Sequence, residues 1–262
     1  MTDWLVRGQA RLAVHQRGTG LPVVFQHGLC GDMRQTFEGF PQTGAYRLLT
    51  LECRGHGQSE MSGPHSIAQF SDDVIALILT LKGPVVLGGI SMGAAIAMRV
   101  AVIRPDLVRA LILVRPAWGT DAAPQNMEPN AEVGRLIATL GTQARATFAA
   151  SATAARLSVE APDNLASLMA FFDREPLAAT AALLLAIAAD GPGLTDLQLA
   201  GLRIPALICG TTEDAIHPIR HAQRVADLIP LAVLVRLPPK GRDKPAHLAA
   251  LHAAITDFLK EY

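Results

Sequence analysis

Several signatures are missing from this chain, and each absence removes a class of function. Its three cysteines, Cys30, Cys53 and Cys209, are widely spaced and odd in number, and no C-x-x-C pair is present to hold zinc or a redox disulfide. A reducing, cytoplasmic setting and no structural metal are therefore expected. There is no Walker loop, no G-x-G-x-x-G and no cluster of metal-ligand residues, so no cofactor is expected. Neither charge is in excess: 23 Lys and Arg face 23 Asp and Glu, which leaves nothing to draw in nucleic acid or an anionic membrane by charge alone. The opening Met1-Thr2-Asp3-Trp4 has no basic-then-apolar leader, and the longest apolar run, Leu177 to Ala189, is too short to cross a bilayer. The expectation is a soluble intracellular protein whose partner is a small-molecule substrate. Homo-oligomerisation is left open.

What is present is a chain of 262 residues, half of them hydrophobic, long enough for one large α/β domain with an insertion and a full core. Its organising stretch runs from Pro84 to Met98. A short apolar β-branched run, Val85-Val86-Leu87, meets Gly89-Ile90-Ser91-Met92-Gly93, and small helix formers follow at once. A strand turning sharply into a helix at Ser91 is the required context of a G-x-S-x-G nucleophile elbow. Such a turn lifts a serine hydroxyl clear of a sheet while crowding its own backbone, so the flanking positions must lack Cβ. Gly89 and Gly93 meet that need. The same turn leaves the Met92 N–H free at a helix N-terminus, facing any negative charge that develops on a bound carbonyl.

The rest of the chain alternates. Trp4 to Arg17 reads as an antiparallel hairpin at a sheet edge, and Leu21 to Gln26 and Tyr46 to Glu52 as buried strands. Ser66 to Leu81 has helical spacing, with Ser66 as its cap and Gly83-Pro84 as its stop. After the elbow helix come a strand over Ala110 to Val114, a strand over Ile204 to Cys209, a helix over Pro218 to Ile229, a strand over Ala232 to Leu237 and a helix over Pro245 to Lys260. The predicted fold class is α/β: a doubly wound, mostly parallel sheet that keeps its ligand at the carboxyl ends of the strands. One interruption breaks the pattern. Residues 118 to 195 are alanine-rich, punctuated by Pro124, Pro129 and Pro162, and read as helices. They are expected to form a helical cap over a core made of residues 1–117 and 196–262.

Four pieces together identify a resemblance to the α/β-hydrolase superfamily that covers nearly the whole chain. They are His27-Gly28, Arg54-Gly55-His56-Gly57-Gln58-Ser59, Gly89-Ile90-Ser91-Met92-Gly93, and Gly210-Thr211-Thr212-Glu213-Asp214 followed by Pro218. The chain most resembles the small capped bacterial members, among them esterases, enol-lactonases, C–C bond hydrolases and cofactor-free perhydrolases. The resemblance implies that Ser91 is the nucleophile, that the Leu29 and Met92 N–H groups form the oxyanion hole, and that Asp214 is the triad acid. Glu213 is its neighbouring competitor. The alternative position for an acid, after the sixth strand, reads Arg115-Pro116-Ala117-Trp118 and offers none.

The chain departs from the family at the general base. Where a Gly-His is usual it has Gly241-Arg242, and a guanidinium that stays protonated cannot take a proton from a serine hydroxyl. Two histidines could substitute: His217, three residues after Asp214, or His247, at the start of the final helix. His56 resembles a structural member of its turn, while His221, His15, His65 and His252 read as lying outside the site. His27, Cys30, Arg115, Trp118 and Arg242 are expected to line the pocket, with Cys30 a packing residue rather than a nucleophile and Arg242 a candidate clamp for an anionic substrate. Two functions stay open. One is a serine hydrolase of a small carboxylic ester, thioester or lactone working through an acyl-enzyme at Ser91. The other is a non-hydrolytic binding or sensing protein on the same scaffold.

Overall fold

The computed structural model describes residues 2–42 and 44–261. Strands β1 (Thr2–Arg7) and β2 (Ala10–Arg17) form the expected hairpin, and β2 pairs antiparallel with β4 (Tyr46–Leu51). From there the sheet is parallel: β3 (Leu21–Gln26), β5 (Val85–Ile90), β6 (Val108–Val114), β7 (Ala206–Thr211) and β8 (Ala232–Leu237) complete the order β1-β2-β4-β3-β5-β6-β7-β8. The α/β fold class is thus observed. Strand β7 starts later than the apolar run suggests because Pro205 has no N–H for the ladder; only its carbonyl pairs, accepting from Leu111.

The middle strands read as continuous apolar runs because helices cover both faces, and their side chains still alternate between two cores. Val24, Leu87, Leu111 and Ile208 pack on one side, under α2 (Ile67–Ile78), α3 (Met92–Ile103) and α10 (Ile219–Leu228). Val23, Phe25, Ile112 and Leu207 pack on the other, under α1 (Met33–Gly39) and α11 (Lys244–Leu259). Helix α2 begins where its sequence says, with the Ser66 hydroxyl accepting from the Gln69 N–H at 3.1 Å.

Between β6 and β7 the chain forms α4 (Glu128–Leu140), α5 (Ala144–Ala149), α6 (Ala152–Glu160), α7 (Pro162–Ala170), α8 (Leu177–Ala188) and α9 (Asp196–Ala200). These helices have an apolar cluster of their own, including Val133, Phe148, Leu157 and Phe172, against which Leu29, Cys30 and Ala215 pack. The long apolar run explains itself here: α8 buries Leu183 and Ile187 in the sheet-side core and Leu184 in the helical cluster, so it is apolar nearly all round. No helix among the described residues is long and apolar enough to cross a membrane.

Candidate active site

Strand β5 keeps pairing with β6 up to Ser91, whose N–H donates to the Val114 carbonyl at 2.9 Å. Helix α3 starts at the next residue, and the Ser91 carbonyl already accepts from Ala94 and Ala95. The price of so abrupt a change is a non-glycine residue at φ 56°, ψ −110°, a conformation that L-residues rarely adopt. The flanking glycines have the predicted cause. A Cβ on Gly93 would sit 2.3 Å from the Gln26 carbonyl oxygen, and one on Gly89 would sit 2.5 Å from the Gly93 carbonyl carbon.

The loop after β3 comes up beside this turn: a Cβ placed on Gly28 would lie 3.4 Å from the Ser91 Cβ. It is held by its own side chains. Gln35 Oε1 accepts from the Gly28 N–H at 2.6 Å, Gly31 N–H donates to the Gly28 carbonyl at 2.9 Å, and Asp32 caps α1. Arg174, arriving from the helical segment, donates to the Cys30 carbonyl. Neither the Leu29 nor the Met92 N–H has a hydrogen-bond partner among the described residues.

One expectation about this loop is corrected. His27 does not line the cavity: it is fully buried, its Nε2 accepts from the Cys53 N–H at 3.0 Å, and its Nδ1 must therefore carry the proton it donates to the Gly28 carbonyl at 2.8 Å. Burial lowers its pKa, keeping it the neutral pin that both bonds require. Cys30 does line the cavity, and burial pushes its thiol up to about 11, so it is a poor nucleophile near neutral pH, in line with its reading as a packing residue.

A cavity of about 260 Å³ opens above Ser91, lined also by Leu29, Arg115, His217 and Lys240. His217 is held from behind. Its Nδ1 lies 2.9 Å from Asp214 Oδ1, and its own N–H donates to the same oxygen at 2.8 Å. Arg115 donates to Asp214 Oδ2 from Nε at 2.8 Å, and its Nη2 completes the ion pair 2.6 Å from the same oxygen. Arg115 Nη2 also stands 3.1 Å from His217 Nδ1, but a guanidinium can only donate. The tautomer that satisfies the carboxylate therefore puts the proton on Nδ1 and a lone pair on Nε2. Burial alone would raise the Asp214 pKa; the His217 and Arg115 charges and the bonds from His217 outweigh it and hold the carboxyl well below the usual range. Burial lowers the His217 pKa, with Arg115 helping and Asp214 opposing, so the ring is neutral at pH 7. Glu213 is disposed differently: it faces outward, paired with Arg242 at 2.6 Å.

That pair corrects the reading of Arg242, which is largely exposed and does not line the cavity. Trp118 does not line it either; it is fully buried, its indole N–H donating to the Asp190 carbonyl at 3.0 Å. His247 is buried at the start of α11, its Nδ1 bonded to the Pro238 carbonyl at 2.8 Å, and it faces a neighbouring cavity that does not include Ser91. His15 lies outside the cavity, as read from the sequence, but is buried 3.2 Å from Glu52 rather than on a surface or helix face. His221 lies outside the cavity on Asn126, as expected.

Lys240 carries no signal in the sequence that marks it for the site. It stands in the same post-β8 loop as Arg242, but it is the lysine that turns inward, its Nζ 3.1 Å from both oxygens of Asp163. Asn164 is equally silent in sequence: its Oδ1 accepts from the Ala215 and Ile216 N–H groups, tying α7 to the loop that carries Asp214 and His217.

A mostly parallel eight-stranded sheet with a serine at the β5-to-α3 turn defines the class, and comparison with known proteins agrees. The chain belongs to the alpha/beta hydrolase family, whose model matches residues 23–257. A Mycobacterium tuberculosis protein, BpoC, provisionally named a non-heme bromoperoxidase, is 29% identical over 241 residues, covering 88% of this chain and 90% of its own. An Acinetobacter baylyi (E)-2-((N-methylformamido)methylene)succinate hydrolase is 35% identical over 124 residues, covering 45% of this chain and 46% of its own. Among solved structures, a malate-bound thermophilic esterase from Thermogutta terrifontis superposes with a TM-score of 0.76 at 25% identity, covering 100% of this chain and 98% of its own.

Proposed function

We propose that the protein is a serine hydrolase of small carboxylic esters, thioesters or lactones that works through an acyl-enzyme at Ser91. The observation that carries this reading is one cavity holding both a strained serine at the strand-to-helix turn and a neutral histidine whose far nitrogen is bonded to a buried carboxylate. In this mechanism Ser91 Oγ attacks the substrate carbonyl carbon while His217 Nε2 takes its proton. The Leu29 and Met92 N–H groups hold the negative oxygen of the tetrahedral intermediate. Collapse expels the alcohol or thiol, which receives the proton from Nε2. Water then gives a proton to Nε2 and attacks the acyl carbon, releasing the acid. Asp214 keeps the ring in the tautomer this requires and stabilises the imidazolium. Helices α4 to α8 act as a cap that limits water in the cavity.

The relatives' names, an esterase and a succinate-derivative hydrolase among them, support the reaction class. The binding-protein alternative draws on Arg242 standing where a base is expected, and with Arg242 outside the cavity and His217 on its wall the hydrolase reading is the stronger. Three unpaired cysteines support a cytoplasmic setting. The test is labelling with a fluorophosphonate serine probe and mass mapping of the adduct. The adduct should lie on Ser91, and Ser91→Ala should lose both labelling and about 10³ or more in ester turnover. An unlabelled wild type, or unchanged turnover in the variant, would end this reading.

A further inference from the structure

We infer that the substrate of this site carries a free carboxylate besides its scissile ester or lactone bond, and that Arg115 and Lys240 bind that carboxylate. The inference rests on the hydrolase reading above and narrows its substrate class. Both cations line the cavity, whereas their counter-charges, Asp214 and Asp163, do not; no Asp or Glu among the described residues lies on its wall. The two cations also have donors left over. Arg115 donates from Nε to Asp214, its Nη2 stands between Asp214 and His217, and its Nη1 has no hydrogen-bond partner among the described residues. Lys240 Nζ directs two of its three N–H groups at the oxygens of Asp163.

These donors are sheltered to different degrees: the Arg115 side chain is only 9% exposed and that of Lys240 is 25% exposed. Once a substrate fills the cavity, a charged donor left without an acceptor costs free energy, and a neutral aliphatic ester would strip its water without replacing it. A carboxylate does replace it, through charge-assisted bonds for which guanidinium and ammonium are suited. The remaining wall, with Leu29, Met127, Phe171 and Ile216, accommodates a short carbon skeleton between the two ends. The volume of about 260 Å³ lies just under the roughly 300–1,000 Å³ usual for ligand pockets, so the whole molecule must be small.

The experiment compares ethyl hydrogen succinate with ethyl succinamate, which has the same shape but a neutral amide in place of the carboxylate. The expected result is a kcat/KM about tenfold or more higher for the charged ester, falling toward equality in Lys240→Met and recovering in Lys240→Arg. Equal turnover of the two esters, or a preference for the amide, overturns the inference while leaving the hydrolase reading intact. If neither ester is turned over, the hydrolase reading is what fails on these substrates, and binding decides the inference separately. Succinate should then raise the melting temperature of the wild type more than succinamide does, and should do so less in Lys240→Met at equal folding by circular dichroism. No difference between succinate and succinamide in the wild type overturns it.

Discussion

Replacing Ser91 by glycine should make the protein more stable while removing its nucleophile. Ser91 is held at φ 56°, ψ −110°, and for a residue with a Cβ a conformation of this kind costs about 1–3 kcal/mol. Glycine adopts it freely, but adds about 0.5–1 kcal/mol of backbone entropy to the unfolded chain. The serine hydroxyl makes no hydrogen bond among the described residues, and it stands at the cavity rather than deep in the core. The balance favours Ser91→Gly by about 1 kcal/mol, or a rise in melting temperature of roughly 2–4 °C for a domain of this size. Ser91→Ala is the control, because it removes the hydroxyl but keeps the Cβ and the strain; its stability should match the wild type. Urea and thermal unfolding of the three proteins at one pH measures the order directly. A Ser91→Gly variant no more stable than Ser91→Ala would show that the Cβ does not strain the turn, and that the elbow stores no energy for a glycine to release.

His217→Ala should lower ester turnover by about 10²–10⁴, the range for loss of a general base, while His247→Ala should leave the chemical step unchanged because its ring faces another cavity; steady-state kinetics of both variants on one activated ester separates them. The pH dependence has a defined sign. Burial lowers the pKa values of His217, His27 and His56, so on acidification the unfolded chain takes up protons that the native state refuses. Stability should fall as pH drops below about 6.5, and further as it approaches the range where unfolded Asp protonates and Asp214 does not. The acid limb of kcat/KM should likewise have a midpoint below that of an ordinary histidine; urea midpoints at pH 7 and pH 5 and a pH–rate profile test the two. Gly93→Ala should destabilise by roughly 1–3 kcal/mol, at the upper end because the clashing atom, the Gln26 carbonyl oxygen, belongs to the neighbouring strand's backbone and has no rotamer to escape into; a urea midpoint equal to the wild type's would refute it.

Local signals in this chain are strong wherever local physics sets the structure. The G-x-S-x-G turn needs two residues without Cβ within five positions, and the sheet needs apolar runs of strand length separated by helical spacing, so both are written in neighbouring residues. Ser66 caps a helix through an atom three positions away, and it too is legible. The site is legible only in part, because it is assembled from loops that follow different strands: Ser91, Leu29, Cys30, Arg115 and His217 are named from the sequence and line the cavity, whereas Lys240 and Asn164 line it without being named. Arg242 and Lys240 are two residues apart in one loop, and nothing in their sequence says which turns inward. That is decided by partners far along the chain, Glu213 at the surface and Asp163 in α7. The same holds for the two candidate bases. His217 and His247 are both plausible as sequence, and only the fold sets the one on the wall of the cavity above Ser91 and the other on a neighbouring cavity. His27 and Trp118 mislead for a related reason: an amphipathic ring next to a site-forming loop can face the ligand or bond inward. The groups that draw these two inward, the Cys53 N–H and the Asp190 carbonyl, become their neighbours only once the chain has folded.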